Sequence, residues 1–125
     1  MPIRIILPGI IWFAMMMLII CAPLPEKQLL YFDCIPSRSF VHLFLYLGFV
    51  HTWLGACKKQ LKYDKIRIHA FRIVFGSAIG MALLSEAILL LVQNSIIVSL
   101  WNLLFDVIGA GLGIVSFRIL YRACY

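Results

Sequence analysis

A chain of 125 residues that is 64% hydrophobic, 13% charged and has a mean hydropathy of +1.04 cannot cover a soluble surface, where about a quarter of residues are ordinarily charged. A soluble enzyme and a nucleic-acid-binding domain are thereby excluded, leaving one compact membrane bundle whose apolar side chains face lipid or one another. The formal net charge of +6 looks like a nucleic-acid signal only until its distribution along the chain is read.

A helix needs about 20 apolar residues to cross the hydrocarbon core. The first segment that qualifies runs from Ile5 to Ala22 and is closed by Pro23-Leu24-Pro25, which cannot continue a helix. Arg4 followed by an apolar run also has the outline of a signal peptide. However, Ile19-Ile20-Cys21-Ala22 lacks the small-x-small cleavage pattern, so a retained helix is expected. The second segment runs from Ser39 to Cys57 and stops at Lys58-Lys59. The third runs from Ile68 to about Val92, and the fourth from about Leu100 to Tyr121. The connections are short, so consecutive helices should be antiparallel neighbours. The expected fold is all-α: a polytopic membrane protein, one domain over residues 1–125, built as a four-transmembrane-helix antiparallel bundle. Cys21, Cys34, Cys57 and Cys124 form no CxxC pair and give no zinc signature. They are read as free thiols, with a Cys21–Cys34 disulfide as the alternative.

Orientation follows from the basic residues. With both termini in the cytoplasm, nine of the 11 lie inside: Arg4, Lys58, Lys59, Lys62, Lys65, Arg67, Arg72, Arg118 and Arg122. Only Lys27 and Arg38 lie outside. This bias accounts for the basic character without DNA or RNA, and leaves membrane lipids as the expected surroundings. Tyr31 and Trp101 fall near the outer boundary, and Trp53, Tyr63 and Tyr121 near the inner one.

Polar residues inside lipid are functional candidates by default. The second helix carries His42 and, one turn on, Tyr46. The third carries Glu86, then Gln93, and the fourth carries Asn102 and Asp106. Residues four apart share a helix face, so each helix offers one polar stripe. All six residues fall in the outer half. Arg72 and Arg118 can snorkel to the inner interface, while His51 and His69 read as packing or interfacial residues. Gly76-x-x-x-Gly80 and Gly109-x-x-x-Gly113 are small-xxx-small patterns that let backbones approach closely. The expected register sets Gly80 beside Gly109 and Gly76 beside Gly113, bringing Glu86 to Asn102 and Asp106. A purely structural network would yield only about 0.6 kcal/mol per hydrogen bond, and a carboxylate pair is a costly way to obtain that. A functional site is therefore the preferred reading.

These residues resemble the VanZ-like family of small bacterial membrane proteins. The resemblance lies in Val41-His42-Leu43-Phe44-Leu45-Tyr46, in Leu84-Ser85-Glu86, and in Asn102-x-x-x-Asp106-x-x-Gly109-x-x-x-Gly113, and covers about residues 38–120. The chain departs from the family pattern in exchanging the acidic and amide residues of the last segment and in setting Gln93 seven residues after Glu86 rather than three. The resemblance implies a multi-pass protein of the bacterial inner (cytoplasmic) membrane, linked to the cell envelope and to resistance against the lipid-tailed glycopeptide teicoplanin. It implies no reaction.

The leading expectation is a non-catalytic envelope protein that binds a lipid-linked envelope precursor or a lipoglycopeptide at the polar cluster. A second is a membrane enzyme acting on a lipid headgroup, with His42 as general base and Glu86 or Asp106 orienting it. A third is a subunit of a larger membrane complex or homo-oligomer. One histidine and two carboxylates at these spacings are a thin metal signature, and neither metal nor cofactor is expected.

Overall fold

A bilayer interior offers the backbone no hydrogen-bond partners, so apolar stretches of this length must become helices. The computed structural model describes residues 3–22, 31–32, 35–59, 62–93 and 96–122. Its long helices are α1 (Ile3–Cys21), α2 (Ser37–Lys58), α4 (Ala70–Gln93) and α5 (Ile96–Tyr121). Each contains a stretch of 18 to 22 residues, long and apolar enough to cross a membrane, the helical composition of a multi-pass membrane protein. Between α1 and α2 a minimal ladder pairs β1 (Tyr31–Phe32) with β2 (Ile35–Pro36). The Cys21–Cys34 pairing and Cys124 lie outside the residues described at side-chain level, while Cys57 is a buried free thiol.

The expected third span begins at Ile68. Instead, a one-turn helix, α3 (Asp64–Ile68), precedes it. His69 caps α3 with its N–H on the Lys65 carbonyl at 3.1 Å and accepts from the Ile73 N–H at 3.0 Å, and α4 starts at Ala70. α3 places Asp64 in its first turn and Lys65 and Arg67 in its last, the order the helix dipole favours. An Arg67–Asp64 pair at 3.0 Å ties its exposed side together. Its charge keeps it out of the apolar span.

α2 is the centre of the assembly and touches each of the other long helices, α5 most extensively. Tyr46, Phe49, Val50 and Leu54 of α2 are buried against Met16 and Ile20 of α1, Val74, Ala78 and Ala82 of α4, and Ala110 and Phe117 of α5. α1 docks on α2 through two reciprocal tryptophan contacts. Trp12 lies over Gly48 and donates its indole N–H to the Leu45 carbonyl at 2.9 Å, while Trp53 lies over Gly9. Arg38, buried at the start of α2, donates to the Ile20 carbonyl. Large apolar side chains such as Leu18, Phe44, Leu91 and Ile119 point outward, as a lipid-facing surface requires.

The expected glycine register between the third and fourth spans is not observed. Gly76 and Gly80 are exposed, and among the described residues a Cβ on either would meet nothing within 4 Å. They lie two residues from Ala78, which points inward, and two residues is about 200° around a helix. α4 therefore presents Ala78 and Ala82 inward and Gly76 and Gly80 outward. Gly109 and Gly113 do mediate a close approach, but to α2: a Cβ at 109 would press on the Leu43 backbone, and one at 113 would lie 2.9 Å from Val50 Cβ.

Candidate functional site

On α2, Ser39, His42 and Tyr46 follow one another at spacings of three and four, and so share a face. On α5 the same spacing joins Asn102, Asp106, Gly109 and Gly113. These two faces meet rung by rung. Ser39 Oγ donates to Asn102 Oδ1 at 2.8 Å, and His42 Nδ1 meets Asp106 Oδ1 at 2.8 Å. Gly109 and Gly113 then bring α5 against the α2 backbone, and His51 Nε2 shares a 2.7 Å hydrogen bond with Ser116 Oγ. The glycines are what permit the polar rungs to close, because they lie on the same face as Asp106 and remove the side chains that would hold the helices apart.

α4 completes the cluster from a third direction. Glu86 Oε1 lies 3.8 Å from His42 Nδ1, and Tyr46 OH lies 3.5 Å from Ser85 Oγ, at the edge of hydrogen-bonding range. His42, Asn102 and Asp106 are each 2% exposed or less, and Glu86 is 5% exposed. One ligand-type atom from each of His42, Glu86 and Asp106 falls within 4.8 Å of the other two. Two carboxylates this close, away from water, carry a like-charge penalty unless a proton or a cation lies between them. Among the described residues, His42 Nε2 and Asp106 Oδ2 are buried with no hydrogen-bond partner. The set can therefore orient an imidazole, hold a proton, or coordinate a cation.

Five of the six residues expected to carry function come together here: His42, Tyr46, Glu86, Asn102 and Asp106. The sixth, Gln93, is the last residue of α4, and its side chain lies outside the described residues. Sequence reasoning missed Ser39 and Ser85 as partners, although Ser39 stands one turn before His42 and Ser85 adjoins Glu86. It also set His51 aside, where the structure gives it Ser116.

The opposite end of the bundle has the reverse character. Lys58, Lys59, Arg67, Arg118 and Arg122 line a cavity of about 850 Å³ floored by Phe71, Phe117 and Tyr121. Lys58 and Arg118 both lie over the Phe71 ring, 4.9 and 4.7 Å from its centroid. His42 is 16 residues before Lys58 along α2, roughly 24 Å at helical rise. The acidic cluster and the basic cavity are thus at separate depths of one bundle. No family model, curated protein or solved structure matches the chain.

Proposed function

We propose that this chain is a VanZ-like, non-catalytic protein of the bacterial inner membrane. It crosses that membrane four times as an antiparallel bundle, with both termini in the cytoplasm. Its His42–Asp106–Glu86 cluster binds the polar headgroup of an amphiphile from the outer leaflet, either a lipid-linked envelope precursor or a lipoglycopeptide. The observation that carries this reading is the convergence of three buried ionisable side chains from three helices at one depth. The orientation rests on the basic residues, which gather around one cavity at the far end of the same helices. Contacts between α2 and α5 advance together along both helices, from Ser39–Asn102 to His51–Ser116, as expected of the second and fourth strokes of an up-and-down chain. The cluster's side chains are buried, so a headgroup reaches them only when the packing around them opens.

The test is survival against a lipid-tailed glycopeptide compared with one lacking the tail. Glu86→Gln and Asp106→Asn should each abolish the difference at unchanged protein levels. The double variant should be no worse than either single one, because groups acting as a unit are not additive. Undiminished resistance in the double variant removes the reading.

A second reading is favoured by one specific observation. Asp106 holds His42 through Nδ1 and leaves Nε2 without a partner among the described residues, the arrangement of an oriented general base. A membrane enzyme acting on a lipid headgroup would use that nitrogen. It would lose turnover in His42→Gln, whereas a headgroup-binding protein would keep most of its function.

A further inference from the structure

We propose that His42, Glu86 and Asp106 form a binding site for one divalent cation of the Zn²⁺ class.

The donor set fits such an ion. Zinc is held by imidazole nitrogen and carboxylate oxygen at about 2.0–2.2 Å, and tetrahedral ligands at that radius stand roughly 3.4 Å apart. The spacings found, 2.8 Å from His42 Nδ1 to Asp106 Oδ1 and 3.8 Å from His42 Nδ1 to Glu86 Oε1, fall on either side of that figure. All three ligand atoms lie within 4.8 Å of one another, so drawing them onto one ion takes side-chain shifts of up to about an ångström, largest for Glu86. Mg²⁺ and Ca²⁺ ask for six or more oxygen ligands and keep waters, which three converging groups, one of them imidazole, do not provide.

Charge argues the same way. Two carboxylates and one dication sum to zero, and an apolar interior tolerates a neutral assembly far better than a pair of anions. Asp106 Oδ2 is fully buried with no hydrogen-bond partner among the described residues, so either oxygen of that carboxylate can ligate the ion, which would replace the proton of the His42 Nδ1–Asp106 hydrogen bond. The surroundings are rigid in the way a metal site needs. The Ser39–Asn102 rung lies one turn to one side, and the Gly109 and Gly113 contacts lie on the other, so α2 and α5 cannot slide past each other.

The site itself does not depend on the proposed function, but its consequence for ligand choice rests on that reading. Two bare carboxylates repel a phosphate-bearing headgroup. A cation held between them inverts the local sign and offers the phosphate an open coordination position. The substrate class then becomes an amphiphile with an anionic headgroup.

The experiment uses the full chain purified in detergent, stripped with a chelator, then titrated with Zn²⁺, Co²⁺ and Mg²⁺. Zn²⁺ should bind at about one equivalent per chain and raise the melting temperature, and Mg²⁺ should do neither. Co²⁺ should give a visible d–d band that Zn²⁺ displaces. Glu86→Gln, Asp106→Asn and His42→Ala should each weaken Zn²⁺ by at least about tenfold, since even the outer partners of metal ligands are worth about 10–100-fold. Because a variant can fail by misfolding, the wild-type titration decides. A wild-type chain that takes up no stoichiometric Zn²⁺ and shows no Co²⁺ band overturns the site, as do folded variants that bind like wild type. Zn²⁺ uptake without protection against the lipid-tailed glycopeptide keeps the metal site and removes the amphiphile reading. Protection by a chain that binds neither Zn²⁺ nor Co²⁺ removes the metal site and keeps that reading.

Discussion

Replacing Gly109 by alanine adds one methyl group at the tightest point between α2 and α5. The new carbon would lie 3.0 Å from the α-carbon of Leu43 and closer still to the Leu43 carbonyl oxygen. Ordinary van der Waals distance begins at 3.4 Å, so the α-carbon alone demands 0.4 Å of separation, and the oxygen demands more. Neither neighbour can yield, because both belong to the α2 backbone. Passed to the adjacent turn, a separation of that kind should lengthen the 2.8 Å His42–Asp106 contact. Overpacking of this kind costs about 1–3 kcal/mol. Gly76→Ala and Gly80→Ala are the internal controls, because the added carbon meets nothing within 4 Å there and alanine favours the helix by up to about 1 kcal/mol. The measurement is an unfolding midpoint, by heat or by SDS titration in mixed micelles, for all three variants. Gly109→Ala should fall well below wild type, with the controls at or above it. A Gly109→Ala midpoint equal to wild type, or a Gly80→Ala midpoint as low as that of Gly109→Ala, would refute the claim that α5 seats its glycines on α2.

A cysteine pair at positions 51 and 116, where the native side chains meet tip to tip at 2.7 Å, should be joined by a short bifunctional thiol cross-linker. A pair at 80 and 109 should not, and the reverse result would restore the register between α4 and α5 read from the glycine spacing. Cys34 should react with a membrane-impermeant thiol reagent on intact cells, and Cys124 only after lysis; labelling of Cys124 from outside would invert the topology. Ser39→Ala removes one interhelical hydrogen bond and should lower stability by only about 0.6 kcal/mol. A loss several times larger would show that this rung also sets the geometry of the His42–Asp106 pair.

The four spans were legible because lipid acts on whole stretches of sequence, and hydropathy summed over about 20 residues carries that signal. The polar cluster was legible for a related reason: an ionisable side chain in an apolar run stands out singly. Partner choice was harder. Gly109 and Gly113 announce a close approach but not to what, and their spacing alone fits α4 as well as α2. The deciding clue was already present, since Asp106, Gly109 and Gly113 share a face, so whichever helix supplies the partner of Asp106 must also receive the glycines. Ser39 and Ser85 escaped notice because a hydroxyl is cheap to bury and common in membrane helices. α3 is too short and too charged to register in a scan for spans.

The two tryptophan contacts and the polar rungs differ in one respect that bears on biosynthesis. Trp12 and Trp53 join neighbouring helices, which can pair as soon as the second one leaves the ribosome. The rungs between α2 and α5 join residues 63 to 65 positions apart, and Asp106 follows His42 by 64. At about 5–20 residues per second, roughly 3–13 s separate the synthesis of the two. Until α5 arrives, Ser39 and His42 lack the Asn102 and Asp106 rungs, and the polar face of α2 has only the Ser85 and Glu86 side of α4 to pack on. The last helix to be made is thus the one that completes the cluster, and a nascent chain stalled before α5 would hold His42 without its 2.8 Å contact to Asp106.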